Sequence, residues 1–284
     1  MNRLAAVLSL LVCSLPLIAA EKHVLGAASA PPPPPTTKLI ALTFDDGPRP
    51  YVLYGQGPAQ RSGGLLDVLQ KNQAHATFFY MGWRLTPKTY GDRHEFRTTM
   101  TTLAAALDVF KRGYQIEDHS YSHVQFKQFE RKRGERGVID DVDRASDLIR
   151  QITGRRANYV RPPDWITTKE INQKLEARGY RVLGIWNNLP LPVRDVNTAD
   201  YLCTGEKPKQ CPRPSLDSFV MQEIQQREKK GVYTHILALH ELSTTTETLK
   251  TLLPELKQRG YRFVTLDEYM KEVGKPVASR ETDH

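Results

Sequence analysis

Two adjacent carboxylates, Asp45 and Asp46, close a run of strand formers in "LIALTFDDGPRP" (39 to 50) and stand directly before Gly-Pro. Side chains alternate along a strand, so neighbouring acids at its end point differently and can divide work. Further on, "EDHSYSH" sets His119 and His123 four residues apart. On a helical turn that spacing puts both imidazoles on one face, as a divalent metal requires. Arg161 stands before Pro162 and Pro163, and His240 ends the apolar run "ILALH". Each feature alone has an ordinary reading. Asp-Asp-Gly-Pro makes a turn, and a histidine pair is also common on a surface or in a core. A lone histidine ending an apolar strand is by default a satisfied core residue, and Arg161 can be a surface residue at a rigid turn. Taken together, acids, imidazoles and a guanidinium are the parts of metal-assisted hydrolysis.

Residues this far apart need a frame to bring them together. After Lys38 strand-like and helix-like segments alternate, which predicts a parallel-sheet α/β architecture. Expected strands cover 39 to 44, 75 to 82, 114 to 119, 157 to 162, 180 to 186, 234 to 240 and 261 to 266. Expected helices cover 64 to 72, 101 to 112, 138 to 153, 168 to 178, 216 to 230 and 246 to 259. In the third of these Val138, Val142, Ala145, Ile149 and Ile152 share one face, and Gly154 is the stop. Arg-Gly-Tyr recurs at 112 to 114, 178 to 180 and 259 to 261, where glycine ends a helix and turns the chain into a strand. Asp45, Asp46, His119, Arg161, Trp186 and His240 all fall at or just beyond strand C-terminal ends. In barrel-like α/β folds that rim carries the chemistry.

At 284 residues and 39% hydrophobic, the chain can bury one sizeable core, set here at 38 to 273. The net charge of +8 suits an anionic polymer, membrane surface or nucleic acid, but the excess is spread along the sequence. The densest basic stretch, "KQFERKRGER", lacks the interleaved aromatics of a nucleic-acid platform, so nucleic acid is not an expected partner.

Residues 1 to 20 have a basic Arg3, an apolar run and Ala19-Ala20, the layout of a signal peptide. The alternatives are an uncut anchor, although the run is shorter than the roughly 20 residues of a spanning helix, and lipidation at Cys13. Residues 21 to 37, with five consecutive prolines, form a linker, and 274 to 284 a flexible tail. Export is therefore expected, to a secreted, periplasmic or envelope location without stable membrane insertion. Cys203 and Cys211, eight apart in a Gly/Pro-containing loop, then read as a disulfide, or as free thiols if the protein is not exported.

The order of "TFDDGP" (43 to 48), "HSYSH" (119 to 123), "RPP" (161 to 163) and "ILALHE" (236 to 241) resembles the NodB-homology polysaccharide deacetylases, carbohydrate esterase family four. The resemblance runs from about Lys38 to Glu268. It implies a distorted (β/α) barrel and deacetylation of an N-acetylated glycan, chitin-like or peptidoglycan-like; separately, a monomer is expected. Residue by residue, it implies Asp45 as general base, Arg161 as the group that orients it, and His240 as general acid. Asp46, His119 and His123 match the ligands of a divalent metal, usually zinc. Two imidazoles and one carboxylate leave a coordination position open, which is what activation of a water needs. A backbone N–H near Pro163 and Asp164 is expected to help stabilise an oxyanion.

Three features depart from the family pattern. "RPPDW" has Asp164 and Trp165 where Tyr and Gly are usual. Trp186, assigned to substrate binding, is followed by Asn187, Asn188 and Leu189 rather than an Asp-Trp, which leaves Asp195 or Glu241 as the partner of His240. Insertions at 49 to 64 and 187 to 215 are expected to shape the substrate groove, with Tyr51, Tyr54 and Tyr201 as sugar-stacking candidates. Two rivals follow: an O-acetyl xylan-type esterase, and a carbohydrate-binding protein on the same fold without turnover.

Overall fold

The computed structural model describes residues 37–55, 63–86, 100–186, 188–203, 210–212 and 214–273. The expected signal peptide, the linker before Thr37 and the tail after Val273 lie outside these residues.

Eight strands form one parallel sheet: β1 Lys38–Gly47, β2 Thr77–Tyr80, β3 Gln115–Asp118, β4 Tyr159–Val160, β5 Arg181–Val182, β6 Val196–Asn197, β7 Thr234–His240 and β8 Tyr261–Val264. Their order is β5-β4-β3-β2-β1-β7-β6, with β8 also paired to β1. The helices are α1 Pro50–Leu53, α2 Leu65–Lys71, α3 Thr102–Lys111, α4 Phe126–Thr153, α5 Lys169–Ala177, α6 Leu216–Glu228, α7 Ser243–Gln258 and α8 Leu266–Val273. This is a distorted (β/α) barrel.

β1 and β7 read as nearly continuous apolar runs because both their faces are covered, as parallel central strands require. The alternation along β1 sorts its residues between two packed layers. Ile40, Leu42 and Phe44 join the larger core under the helices with Phe78, Leu237 and Leu239. Leu39 and Ala41 face the second layer with Phe79, Tyr159, Leu183 and Ile236, and α8 closes it with Leu266, Tyr269 and Met270. Counting on by twos from these inner residues reaches Asp45 on β1, Arg161 after β4 and His240 at the end of β7. Three site residues are thus continuations of one packed face.

α4 buries the expected stripe Val138, Val142, Ala145, Ile149 and Ile152, and Gly154 ends it at φ 81° with its N–H on the Arg150 carbonyl. The helix starts earlier than the apolar pattern predicts, at Phe126, because its first turns are polar and exposed and carry no stripe to read. Gly134 at φ 70° breaks it internally. Two short helices escape the sequence reading: α1, which Pro50 starts, and α8, whose single turn of buried residues is brief. β6, two residues long, also lies within what reads as a loop.

Candidate active site

β1 does not end as a regular strand. Its pairing with β2 shifts between Phe44 and Gly47, and Asp46 sits at φ 71°. Strict alternation would send Asp46 to the face opposite Asp45; the left-handed residue instead brings both carboxylates into one pocket. Asp and Asn are the non-glycine residues that enter this region most readily, so the sequence suits the bend. Gly47 follows because a side chain there is excluded: a Cβ would lie 2.2 Å from Glu241 Oε1 and 2.6 Å from the Tyr80 ring. Glu241 itself is fully buried and accepts the Arg49 N–H at 2.6 Å. Burial pushes its carboxyl up to about 7 against that hydrogen bond.

His119 and His123 lie in an irregular loop after β3, not on the helical turn that their spacing predicts. Ser120 and His123 take positive φ, 63° and 57°. The serines of "HSYSH" explain the shape. The Ser120 N–H donates to Asp118 Oδ1 at 2.6 Å, the His123 N–H donates to Ser120 Oγ at 3.1 Å, and Ser122 Oγ donates to Asp141 Oδ2 at 3.0 Å. The result still brings the two rings together, with Nε2 atoms 3.2 Å apart.

Asp46 Oδ1 lies 3.0 Å from His123 Nε2 and 3.5 Å from His119 Nε2, and one donor atom from each of the three residues falls within 4.8 Å of the others. His119 Nδ1–H donates to the Arg161 carbonyl at 2.7 Å, which leaves Nε2 as the ring nitrogen directed at the cluster. Two imidazole nitrogens and a carboxylate oxygen converging in this way need a proton or a metal cation among them. Two nitrogens and one oxygen suit a borderline divalent metal. Burial alone would raise the Asp46 carboxyl, yet the hydrogen-bonding imidazoles of His119 and His123 hold it well below the usual carboxylate range.

Asp45 is buried beside this cluster, its Oδ2 4.0 Å from His119 Nε2. Its Oδ1 accepts from Arg161 Nη1 at 2.6 Å, and Arg161 Nε donates to Asp195 Oδ2 at 2.9 Å. Arg161 is fully buried with its guanidinium 4.3 Å from the centre of the Phe79 ring. Burial would lower its pKa, but Asp195 and Asp45 raise it, so the cation is fixed.

The partner of His240 is neither Asp195 nor Glu241 but Asp200. Asp200 Oδ1 lies 2.8 Å from His240 Nδ1, while Oδ2 accepts the His240 backbone N–H at 2.7 Å. Burial would lower the imidazole pKa; Asp200, with Asp46 and Asp45 beyond it, carries it up to about 9. Sequence reasoning passed over Asp200 because "NTADY" offers no motif. Its one signal is being an acid in a long rim insertion.

One pocket of about 380 Å³ is lined by Asp45, Asp46, His119, His123 and His240 on one hand and by Gln125, Asp164, Trp165 and Tyr201 on the other. Tyr201 meets the His240 ring edge-on at 5.5 Å between centroids. The other two tyrosines considered for stacking are elsewhere: Tyr51 is buried, and Tyr54 donates to Asp108 Oδ2 at 2.6 Å. Pro163 is buried behind the pocket wall. Trp186 lines a neighbouring depression with Thr168, Lys169 and Asn172, and its ring covers Gly184. Cys203 and Cys211 form a disulfide, which anchors the 3-10 turn Asp200–Cys203.

A family model described as polysaccharide deacetylase matches residues 33–183. The chain is 26% identical over 239 residues to a peptidoglycan-N-acetylglucosamine deacetylase of Bacillus cereus, covering 82% of this chain and 89% of that protein. It is also 26% identical over 245 residues to a chitin deacetylase of Arthroderma benhamiae, covering 84% of this chain but only about half, 53%, of that longer protein. Among solved structures, a family 4 acetyl xylan esterase from Clostridium thermocellum in complex with a cobalt ion shares the fold. The TM-score is 0.60 at 22% identity, over 84% of this chain and 93% of the other.

Proposed function

The chain belongs to the polysaccharide deacetylase family, and from that premise we propose that it is an exported, zinc-dependent hydrolase that removes N-acetyl groups from an N-acetylglucosamine-containing glycan, chitin-like or peptidoglycan-like. One observation carries this reading. The Asp45–Arg161 pair, the Asp46–His119–His123 cluster and the Asp200-bound His240 open into the same pocket. The names of the relatives, a peptidoglycan-N-acetylglucosamine deacetylase and a chitin deacetylase, support the substrate class. Export is supported by the leader-like residues 1 to 20 and by the disulfide. Among the described residues no helix is long and apolar enough to cross a membrane.

Asp46, His119 and His123 would hold the metal. Once bound, it supplies Lewis acidity that makes a water acidic near neutral pH and polarises the acetyl carbonyl. Asp45 takes the proton from the attacking water: Arg161 occupies its Oδ1 and leaves Oδ2 toward the cluster. The buried guanidinium keeps that carboxylate aimed. The backbone N–H of Asp164, on the pocket wall, donates to the acetyl oxygen as negative charge develops there. Pro163 has no N–H to give and contributes the rigid turn. His240, with Nδ1 engaged by Asp200, presents Nε2–H to the pocket and protonates the departing amine. An amine cannot leave as its anion, so an imidazolium here matches an amide substrate.

The test is acetate release by zinc-loaded protein from chitin oligomers and from acetylated xylan, with metal content measured alongside. Release from chitin oligomers is expected. Release from the ester alone would overturn N-deacetylation, and glycan binding without acetate release from either would favour a binding role.

A further inference from the structure

Three carboxylates line the pocket, and two of them have cationic or imidazole partners. Asp45 is held by Arg161 at 2.6 Å, and Asp46 lies 3.0 Å from His123 and 3.5 Å from Arg49. Asp164 differs. Its Oδ2 accepts from the neutral amide of Gln125 at 2.8 Å, and among the described residues no Lys, Arg or His lies within ion-pair distance of it. It stands outside the cluster of Asp46, His119 and His123. The residue is exposed, at the mouth of the pocket, so its charge is presented to whatever enters.

The position of this carboxylate is fixed by its surroundings. Asp164 and Trp165 both take φ 54° within the turn Pro163–Trp165, which begins where two prolines restrict the backbone. The Trp165 indole N–H donates to Asp195 Oδ2 at 3.3 Å, tying the turn to the buried Arg161 network. Gln125, at the start of α4, holds the side chain from the other direction. A carboxylate fixed in a pocket wall, with a neutral hydrogen-bond partner and only the more distant His123 imidazole to act on, is a receptor for a cation on the ligand.

We propose that Asp164 is a specificity-determining residue that pairs with a protonated amine on the sugar unit next to the reacting acetamide. The inference rests on the deacetylase reading and deepens it. Hydrolysis adds water to the acetyl carbon, breaks the C–N bond and delivers a proton to nitrogen, so each turnover yields acetate and a basic amine. On a polymer, every turnover therefore creates the group that Asp164 receives once the chain is rebound one unit displaced. The site favours partly deacetylated glycans, acts on consecutive units, and works against units that carry a carboxylate.

Asp164→Asn isolates the charge, because asparagine also tolerates the left-handed backbone and still offers an oxygen to Gln125. Zinc-loaded wild type and variant, matched for metal content, are compared on a fully acetylated chitin tetramer and on a tetramer with one internal glucosamine. The ratio of kcat/KM for the amine-bearing over the fully acetylated tetramer is expected to be about fivefold in the wild type and to fall to about one in the variant. Calorimetric binding of a glucosamine tetramer should weaken by a similar factor, and both effects should fade at high salt. An unchanged ratio with unchanged binding overturns the proposal, as does a ratio that follows metal loss. Should neither protein release acetate while the variant binds the glucosamine tetramer more weakly, the deacetylase reading fails and the role of Asp164 stands.

Discussion

Asp200 grips His240 at two points, its Oδ1 2.8 Å from the ring Nδ1 and its Oδ2 accepting the backbone N–H at 2.7 Å. Thr245 Oγ1 donates to the same Oδ2 at 2.6 Å, so the carboxylate is fixed from a third direction. Replacing it by a neutral group tests what it does to the imidazole. In metal-free protein His240 should titrate near 9, and in Asp200→Asn near its ordinary value of about 6.5, read by the pH dependence of its ring proton resonances. Equal titration in both proteins would remove Asp200 as the cause. In metal-loaded enzyme the variant should lose activity at lower pH than the wild type, since an acid must be protonated to act.

The same shift makes the metal-free fold sensitive to pH in one direction. The folded pKa of His240, about 9, exceeds its unfolded value of about 6.5. Its contribution, on the order of 3 kcal/mol, is thus fully present below about pH 6.5 and lost as pH rises through 9. Chemical denaturation of the chelator-treated protein at pH 6 and pH 9.5 should show this decline, and Asp200→Asn should flatten it.

Arg161→Lys keeps a positive charge but not the fork. The guanidinium reaches Asp45 through Nη1 and Asp195 through Nε, at 2.6 and 2.9 Å, and a single ammonium cannot reproduce both contacts in a fully buried position. A carboxylate left unpaired there costs about 3–5 kcal/mol. The variant is expected to unfold at markedly lower denaturant and to lose at least about a hundredfold in kcat. A near-native denaturation midpoint would mean that one of the two acids becomes protonated instead.

Asp45→Asn and His119→Ala separate proton transfer from metal binding. The first should retain about one metal per chain while kcat falls by roughly 10²–10⁴, and the second should lose both. Mass spectrometry of the native proteins reads the metal, and acetate release the turnover. Equal metal content in the two variants would refute the division of roles between Asp45 and the cluster.

The disulfide closes a loop of sequence separation 8, for which chain entropy gives about 2–3 kcal/mol. Cys203 is also three residues beyond Asp200 in one 3-10 turn. The double change Cys203→Ser and Cys211→Ser should therefore lower kcat as well as stability, with the activity loss largest near the upper pH limit where His240 depends most on Asp200. Loss of stability alone would show that the turn holds its shape without the bridge.

The site residues with local signatures were the legible ones. "TFDDGP", "HSYSH", Arg161 before two prolines and His240 ending β7 each sit where a strand or a turn forces them, and nearest-neighbour sequence records that. Long strongly patterned segments such as β7 and the apolar stripe of α4 were readable for the same reason. Asp200 was not: it meets His240 across 40 residues from an irregular insertion, and no periodicity encodes that contact. The path of the histidine loop was misread because serine side chains, rather than helical hydrogen bonds, set its backbone. Trp186 was assigned to the pocket from its position after β5. The absence of a side chain at Gly184 lets its ring fold back onto the barrel instead.

Two of the three candidate metal ligands, Asp46 at φ 71° and His123 at φ 57°, stand on left-handed backbone. The coordination sphere is therefore specified largely by main-chain geometry, before any side chain is chosen. At position 46 the alternatives that keep this geometry at little strain are asparagine and glycine, one a weak ligand and the other none. Glutamate or cysteine introduced there to change metal preference would have to reshape the turn first, against Gly47 wedged on Glu241 and Tyr80. Retuning the metal is accordingly a task for His119, the one ligand of the three without a positive φ, or for the groups around it.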